Sequence, residues 1–266
     1  MQSKSYKFGS SYEAIIYSLL LLIVLWIVFW ADHLFPHIEF YKFGVLPQTK
    51  EGIKGIFFMP FIHSNEDFKH ILNNSLPTVI LLGTLIYYYR EIALRVILFS
   101  WFFTGIGLWA FAANTHSYHI GISGIIYALA AFLFTSGALR KFKPLQGISL
   151  FVAFVYGSMI WGIFPTEEQV SWEGHLSGLV VGFLLALFYR KKGPQAPKYL
   201  YEIEKELGIT PPDLEGEYNR KIELLKERER IEQELKKERE KQIRIVYHFK
   251  PKTDQDQKQD DESEDG

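Results

Sequence analysis

The chain has 266 residues, of which 48% are hydrophobic and 16% aromatic, and its formal net charge is -1. No basic excess points to nucleic acid, and the absence of cysteine excludes disulfides, thiolate nucleophiles and cysteine-ligated metals. The long apolar runs end near residue 190 and most of the charge follows them. We therefore expect a membrane region over residues 12–192 and a charged tail over residues 193–266.

The first apolar run, residues 14–30, is uncharged and about as long as a bilayer requires. Lys4 and Lys7 precede it, and no small-x-small cleavage site follows it. We therefore expect an uncleaved signal anchor that leaves residues 1–11 in the cytoplasm.

Five further apolar runs of spanning length predict an all-α membrane protein with six transmembrane helices. They cover residues 70–89, 92–113, 121–139, 147–164 and 172–190. Between the first two spans lies a long connection, residues 32–69, whose apolar stretch at 57–62 is too short to cross and indicates an interfacial segment.

Ten cationic residues near the ends of the predicted spans all fall on one side of the membrane, if both termini are cytoplasmic. These residues are Lys4, Lys7, Arg90, Arg95, Arg140, Lys141, Lys143, Arg190, Lys191 and Lys192. The two short loops on the opposite side, residues 114–120 and 165–171, contain no lysine or arginine. This bias predicts a bacterial-type cytoplasmic membrane location, with the fourth and sixth spans beginning at the outer face.

The fourth run opens on a serine between glycines: Gly121, Ser123 and Gly124. Glycine has no Cβ, so a substrate or a neighbouring backbone can come close to the Ser123 hydroxyl. The same pattern is also typical of a helix-packing face on which the serine bonds to its own helix. From this stretch alone the packing interpretation is favoured.

The sixth run carries His175, Gly178 and Gly182 at helical spacing on one face. We expect these two glycines, with Gly121 and Gly124, to permit close packing of helices. An ionisable residue within a span is costly and faces the protein interior, which makes it a functional-site hypothesis. Ser123 and His175 could therefore be a nucleophile and its general base.

The second run begins with His70 and Asn74, one helical turn apart on a shared face. An asparagine amide and an imidazole N–H can donate to a developing oxyanion. They can equally hold two helices together, and the residues alone leave both interpretations open. Helical phase relative to His70 favours Asn74 over Asn73.

Along the chain the three motifs come in the order His70/Asn74, Ser123 and His175, and over residues 55–190 they resemble the rhomboid family of intramembrane serine proteases, in that family's order. The resemblance implies that Ser123 attacks a peptide bond in a transmembrane substrate with His175 as base. It also implies an oxyanion hole of Asn74, His70 and the Ser123 N–H, and a Tyr127 ring stacked on His175. It implies no metal or organic cofactor, only substrate and the lipid bilayer as partners.

Two features depart from the family pattern. The loop over residues 32–69 lacks the Trp-Arg pair of many rhomboids, and His63 and His70 are farther apart than the usual pair. The conformation of this loop does not follow from the resemblance.

Other functions fit the residues less well. His116 and His119 could suggest a metal site with His175, but no carboxylate stands at a ligand spacing, so we expect exposed loop histidines. Glu173 lies two residues before His175, and side chains two residues apart on a helix point in different directions, so Glu173 is not expected to orient His175. We therefore expect a serine-histidine dyad. A soluble α/β-hydrolase would need glycine where Ile125 stands.

Two membrane functions from other classes are the alternatives. An inactive rhomboid-like protein that escorts membrane clients would typically have lost the serine or the histidine. A small transporter with a histidine proton relay would predict acidic partners within the spans or internal repeats, and neither is visible in the sequence.

The tail is dense in glutamate, lysine and arginine from residue 215 to 242, which predicts a solvated helix. From Thr253 its acidic composition predicts disorder. Binding of a cytoplasmic partner is the function we expect of this tail.

Overall fold

The computed structural model describes residues 7–65, 67–140, 142–165, 170–196, 200–208, 213–242 and 247–248. The chain divides into two compact units, Met1–Pro197 and Lys198–Gly266. Six long apolar helices make up most of the described part of the first unit. They are α1 Ser11–Leu34, α2 Phe68–Tyr88, α3 Ala93–Phe111, α4 Ser123–Leu139, α5 Lys143–Tyr156 and α6 Trp172–Phe188.

Four of these helices are long and apolar enough to cross a membrane: α1, α2, α3, and α5 together with its 3-10 continuation Gly157–Ile163. The helices α4 and α6 are apolar but have 17 residues each, a rise of about 26 Å. The described residues contain no strand, only a single β-bridge between Val45 and His119. An all-helical protein with several membrane spans is confirmed, and the count of six stays a prediction.

The helix α4 lies at the centre of the first unit, because it buries residues on all of its sides. Ile126, Phe132 and Leu133 on this helix are each at most 1% exposed and join the main apolar core. By contrast, α1 leaves large apolar side chains such as Ile27 exposed, as a lipid-facing helix does.

Glycines permit a close crossing of α4 and α6. A Cβ at Gly178 would overlap the carbonyl oxygen of Gly124, and a Cβ at Gly182 would overlap that of Ala128. Gly124 itself has the Thr104 side chain and the Gly174 carbonyl close to the position of its missing Cβ. The two helices that carry Ser123 and His175 are therefore in backbone contact.

The helix α5 differs from its predicted span. It begins at Lys143, ahead of the predicted residue 147, because Pro144 in the first turn has no N–H to leave unpaired. At Gly157 it tightens into the 3-10 segment, which ends at Ile163. The last carbonyls of this segment are free to accept hydrogen bonds from other elements.

The connection between α1 and α2 consists of short helical turns. Its segments are Pro36–Ile38, Phe40–Phe43, Glu51–Lys54, Gly55–Phe58 and Met59–Phe61. Ile56 and Met59 are buried, whereas Phe57 and Phe58 are about half exposed. The Trp101 indole N–H of α3 donates to the Ile56 carbonyl oxygen at 2.9 Å, which anchors the connection over the helices.

Arg140, which the charge pattern placed among the cytoplasmic cations, is only 4% exposed. Its guanidinium donates to the Ser136 hydroxyl at 3.0 Å, to the Pro194 carbonyl at 2.9 Å and to the Tyr189 carbonyl at 2.8 Å. It also lies over the Tyr89 ring. Arg140 therefore joins the ends of α4 and α6 on the side away from Ser123.

In the second unit, Leu200–Glu206 (α7) and Leu214–Gln242 (α8) are helical. The helix α8 matches the predicted tail helix and is exposed along its length, with an ion pair between Glu227 and Arg230. The disorder predicted from Thr253 concerns residues outside the described ranges.

Candidate active site

Ser123 and His175 are brought together at the glycine-lined crossing. Ser123 is the first residue of α4, and His175 lies in the first turn of α6. The Ser123 Oγ is 2.8 Å from the His175 Nε2. His175 is 9% exposed and Ser123 is half-buried, so the hydroxyl stays accessible while the imidazole is enclosed.

The carbonyl of Gly162 orients the imidazole. Its oxygen lies 2.9 Å from the His175 Nδ1. A carbonyl oxygen can only accept, so Nδ1 carries the proton and the Nε2 lone pair faces the Ser123 hydroxyl. This backbone oxygen takes the place that a carboxylate occupies in a Ser-His-Asp triad. The sequence did not predict this acceptor, because every residue has a backbone carbonyl.

Tyr127 packs flat against the same imidazole. The two ring centroids are 4.1 Å apart with 10° between the planes. The Tyr127 hydroxyl donates to the Met159 carbonyl at 2.6 Å, so the 3-10 segment after α5 holds both rings. A Cβ at Gly162 would overlap the Tyr127 hydroxyl and lie 3.2 Å from His175 Nδ1, which explains why glycine stands there.

Gly121 lies in the turn before α4, with φ +109°, which only glycine adopts easily. The sequence placed it among the helix-packing glycines with Gly124, Gly178 and Gly182, and this was wrong for Gly121. A Cβ at this position would lie 2.8 Å from His70 Nε2 and 3.9 Å from Ser123 Oγ. His70 and Ser123 therefore flank the open face of Gly121.

Asn74 lies one turn beyond His70 and is 8% exposed, whereas its neighbour Asn73 is exposed. The Asn74 Nδ2 is buried and donates to no protein group in the described part of the chain. The backbone N–H of Ser123, at the start of α4, has no acceptor within its own helix. His70, Asn74 and the Ser123 N–H are thus donors available to a bound substrate.

His63 is a site residue that the sequence did not assign. It is 1% exposed, and its ring packs edge-on against His70 at 5.0 Å. Its Nε2 accepts from the Ile122 N–H at 3.5 Å. Burial lowers the pKa of His63 to about 3, so the imidazole stays neutral and can accept this bond.

The loop histidines differ from each other. His116 is exposed, as expected, but His119 is only 8% exposed, which corrects the expectation that both lie at the surface. His119 Nδ1 is 2.7 Å from the Ser171 Oγ.

Glu173 accepts from the Ala113 N–H at 3.2 Å and so faces the neighbouring loop rather than His175. Within the described residues, no three His, Asp or Glu side chains are grouped to hold a metal ion.

The fold and this site define a multi-span helical membrane protein with a serine-histidine pair at the ends of two crossing helices. A family model described as "Rhomboid domain" matches residues 50–192. The chain therefore belongs to the rhomboid family, whose members are generally intramembrane serine proteases.

Curated relatives occur in mycobacteria. Uncharacterized proteins of Mycobacterium tuberculosis and Mycobacterium bovis are each 36% identical over 153 residues, covering 54% of this chain and 62% of the relative. An uncharacterized protein of Mycobacterium leprae is 28% identical over 178 residues, covering 64% of this chain and 68% of the relative. The chain thus spans about three-fifths of the length of the first two relatives.

Proposed function

We propose that the protein is an intramembrane serine endopeptidase that cleaves transmembrane segments of membrane proteins with a Ser123-His175 dyad. The observation that carries the proposal is the 2.8 Å contact between Ser123 Oγ and His175 Nε2, with Nδ1 held by the Gly162 carbonyl. In that arrangement the unprotonated Nε2 of His175 faces the Ser123 hydroxyl and can accept its proton, which is how serine nucleophiles are activated.

The reaction is acyl transfer in two stages. The Ser123 oxygen attacks the scissile carbonyl carbon while its proton passes to His175 Nε2. The tetrahedral oxyanion accepts hydrogen bonds from the Ser123 N–H, the Asn74 amide and the His70 imidazole. Collapse breaks the C–N bond, and His175 returns the proton to the leaving amine. Water, deprotonated by His175, then hydrolyses the acyl-enzyme and restores the Ser123 hydroxyl.

The substrate is a membrane-spanning segment, because both dyad residues lie at helix ends within an apolar bundle. A helical peptide bond is shielded by its own turn, so the substrate must unwind locally before attack. Small or helix-breaking residues near the outer face therefore favour cleavage. The protein then crosses a bacterial-type cytoplasmic membrane six times. Its lysine and arginine bias is consistent with both termini lying in the cytoplasm. The charged tail then faces a cytoplasmic partner.

The activity is tested by incubating purified protein in detergent with a library of fluorescent transmembrane peptides. Wild-type protein should release fragments, and Ser123→Ala and His175→Ala should each abolish release while leaving the protein folded. The double variant should be no worse than either single variant, because the two residues act as one unit. Wild-type turnover by Ser123→Ala would refute the proposal, and peptide binding without cleavage by the wild type would favour a client-escort function.

The orientation is tested with single thiols, since the chain has no native cysteine. His116→Cys should react with a membrane-impermeant maleimide from outside intact cells, because His116 is exposed in the loop between α3 and α4. Lys191→Cys should react only after the membrane is opened. The reverse pattern would overturn the orientation.

A further inference from the structure

A second serine-histidine contact lies outside the dyad. His119 Nδ1 is 2.7 Å from Ser171 Oγ, and His119 Nε2 is 3.2 Å from the Asn114 carbonyl oxygen. His119 stands four residues before Ser123, and Ser171 stands four residues before His175. The outer contact therefore joins the two chain segments that lead into the dyad.

Each partner is firmly attached to its own segment. The His119 backbone pairs with Val45, donating to its carbonyl at 2.8 Å and accepting from its N–H at 2.9 Å. The Ser171 carbonyl accepts from the His175 N–H at 3.2 Å, so Ser171 is bonded directly to the residue that carries the imidazole. The Ser171 side chain does not cap α6, which leaves its hydroxyl to His119.

The hydrogen-bond chemistry sets the roles within this contact. The Asn114 carbonyl can only accept, so the Nε2 of His119 carries a proton. In the neutral ring, Nδ1 is then an acceptor, and the Ser171 hydroxyl donates to it. The imidazole thus bridges the loop before α4 and the start of α6 with one donated and one accepted bond.

We propose that His119 is a positioning residue that acts through Ser171 to set the separation of Ser123 and His175; the inference rests on the proposed proteolytic function. The glycine crossing fixes the helix axes below the dyad, at Gly178 and Gly182. Both dyad residues lie above it, in the first turns of their helices, where ends fray. The bond from His119 to Ser171 ties those two ends together on the far side of the dyad.

Four variants separate this role from a general contribution to folding. His119→Phe keeps a ring but removes both hydrogen bonds, and Ser171→Ala removes only the link to α6. His119→Gln can still accept from Ser171 and donate to Asn114. His116→Phe is the matched control, since it makes the same exchange at an exposed histidine of the same loop.

Five quantities are measured for each variant. They are kcat and KM for a cleaved transmembrane peptide, the rate of fluorophosphonate labelling of Ser123, the imidazole ¹⁵N signals of His175, and the midpoint of thermal unfolding. His119→Phe and Ser171→Ala should lower kcat and the labelling rate by roughly 10- to 100-fold, the cost of a displacement of about 1 Å, with KM unchanged. Both should shift the His175 signals, and the double variant should match the single ones. His119→Gln should restore most of the rate, and His116→Phe should match the wild type.

The inference is overturned if Ser171→Ala keeps wild-type kcat and unshifted His175 signals. It is also overturned if His119→Phe loses activity only in proportion to thermal stability and His119→Gln gives no rescue. A wild-type protein that neither cleaves nor labels would refute the proposed function instead. The His175 ¹⁵N signals require no turnover, so a shift in Ser171→Ala would still support the positioning role in that case.

Discussion

The substitution Gly178→Ala tests whether the backbone contact between α4 and α6 sets the dyad geometry. The added Cβ would overlap the Gly124 carbonyl oxygen and lie 2.8 Å from its carbonyl carbon. Both atoms belong to the backbone and cannot swing aside, so α6 must move away by about 1 Å. A displacement of that size at a catalytic base can lower the rate on the order of 100-fold. Overpacking costs about 1–3 kcal/mol, against a gain of about 0.5–1 kcal/mol from replacing a helical glycine. Net destabilisation with a large loss of kcat is expected.

The assay compares kcat for transmembrane-peptide cleavage with the midpoint of thermal unfolding in the same detergent. Gly147→Ala is the matched control, because this glycine lies within α5 and a Cβ there meets nothing within 4 Å. It should be neutral or slightly stabilising, with unchanged kcat. Equal effects of the two substitutions would refute the reasoning, since the crossing would then not control the separation of Ser123 and His175.

Three other substitutions probe single contacts. Gly162→Ala should lower kcat by about tenfold or more, with a small change in unfolding temperature, because the added Cβ would crowd Tyr127 and His175. An unchanged kcat would show that the Gly162 carbonyl does not orient the imidazole. Arg140→Met should lower the free energy of unfolding by about 3 kcal/mol, because it removes three hydrogen bonds that the guanidinium donates at a buried site. Denaturant titration measures this free energy, and a loss under about 0.5 kcal/mol would contradict the expectation. The pKa of His63 is about 3 in the folded protein, whereas a solvated histidine in the unfolded chain has a pKa of about 6.5. Unfolding therefore takes up a proton as the pH falls from about 6.5 towards 3, and stability is lost in that window. His63→Gln should flatten the decline in unfolding temperature between about pH 6.5 and 5, and an unchanged slope would contradict the buried neutral imidazole.

The candidate site was predicted from side chains that carry chemistry, and it was incomplete for that reason. Ser123 and His175 could be singled out because flanking glycines and an intramembrane histidine point to them, whereas the role of Tyr127 came from the family resemblance alone. The Gly162 carbonyl could not be predicted, because every residue has a carbonyl. The change from α-helix to 3-10 helix after α5, which places this carbonyl at the site, was not predicted either. His119 was expected at the surface because it lies in a loop without the spacing of a metal site, but its backbone pairs with Val45 and its side chain is buried. Gly121 was expected in the helix, and the positive φ that excludes it depends on the turn around it.

The sequence by itself determined the helical membrane architecture and the family, because apolar runs of bilayer length and three spaced motifs are local properties of the chain. Only the tertiary structure decided how the dyad is held. The orientation of His175 depends on Gly162, thirteen residues away, and the ties of the outer loops depend on contacts between segments about 50 to 75 residues apart. The Ser123–His175 contact depends in the same way on how closely α4 and α6 approach, and the absence of a Cβ at Gly178 and Gly182 permits that approach.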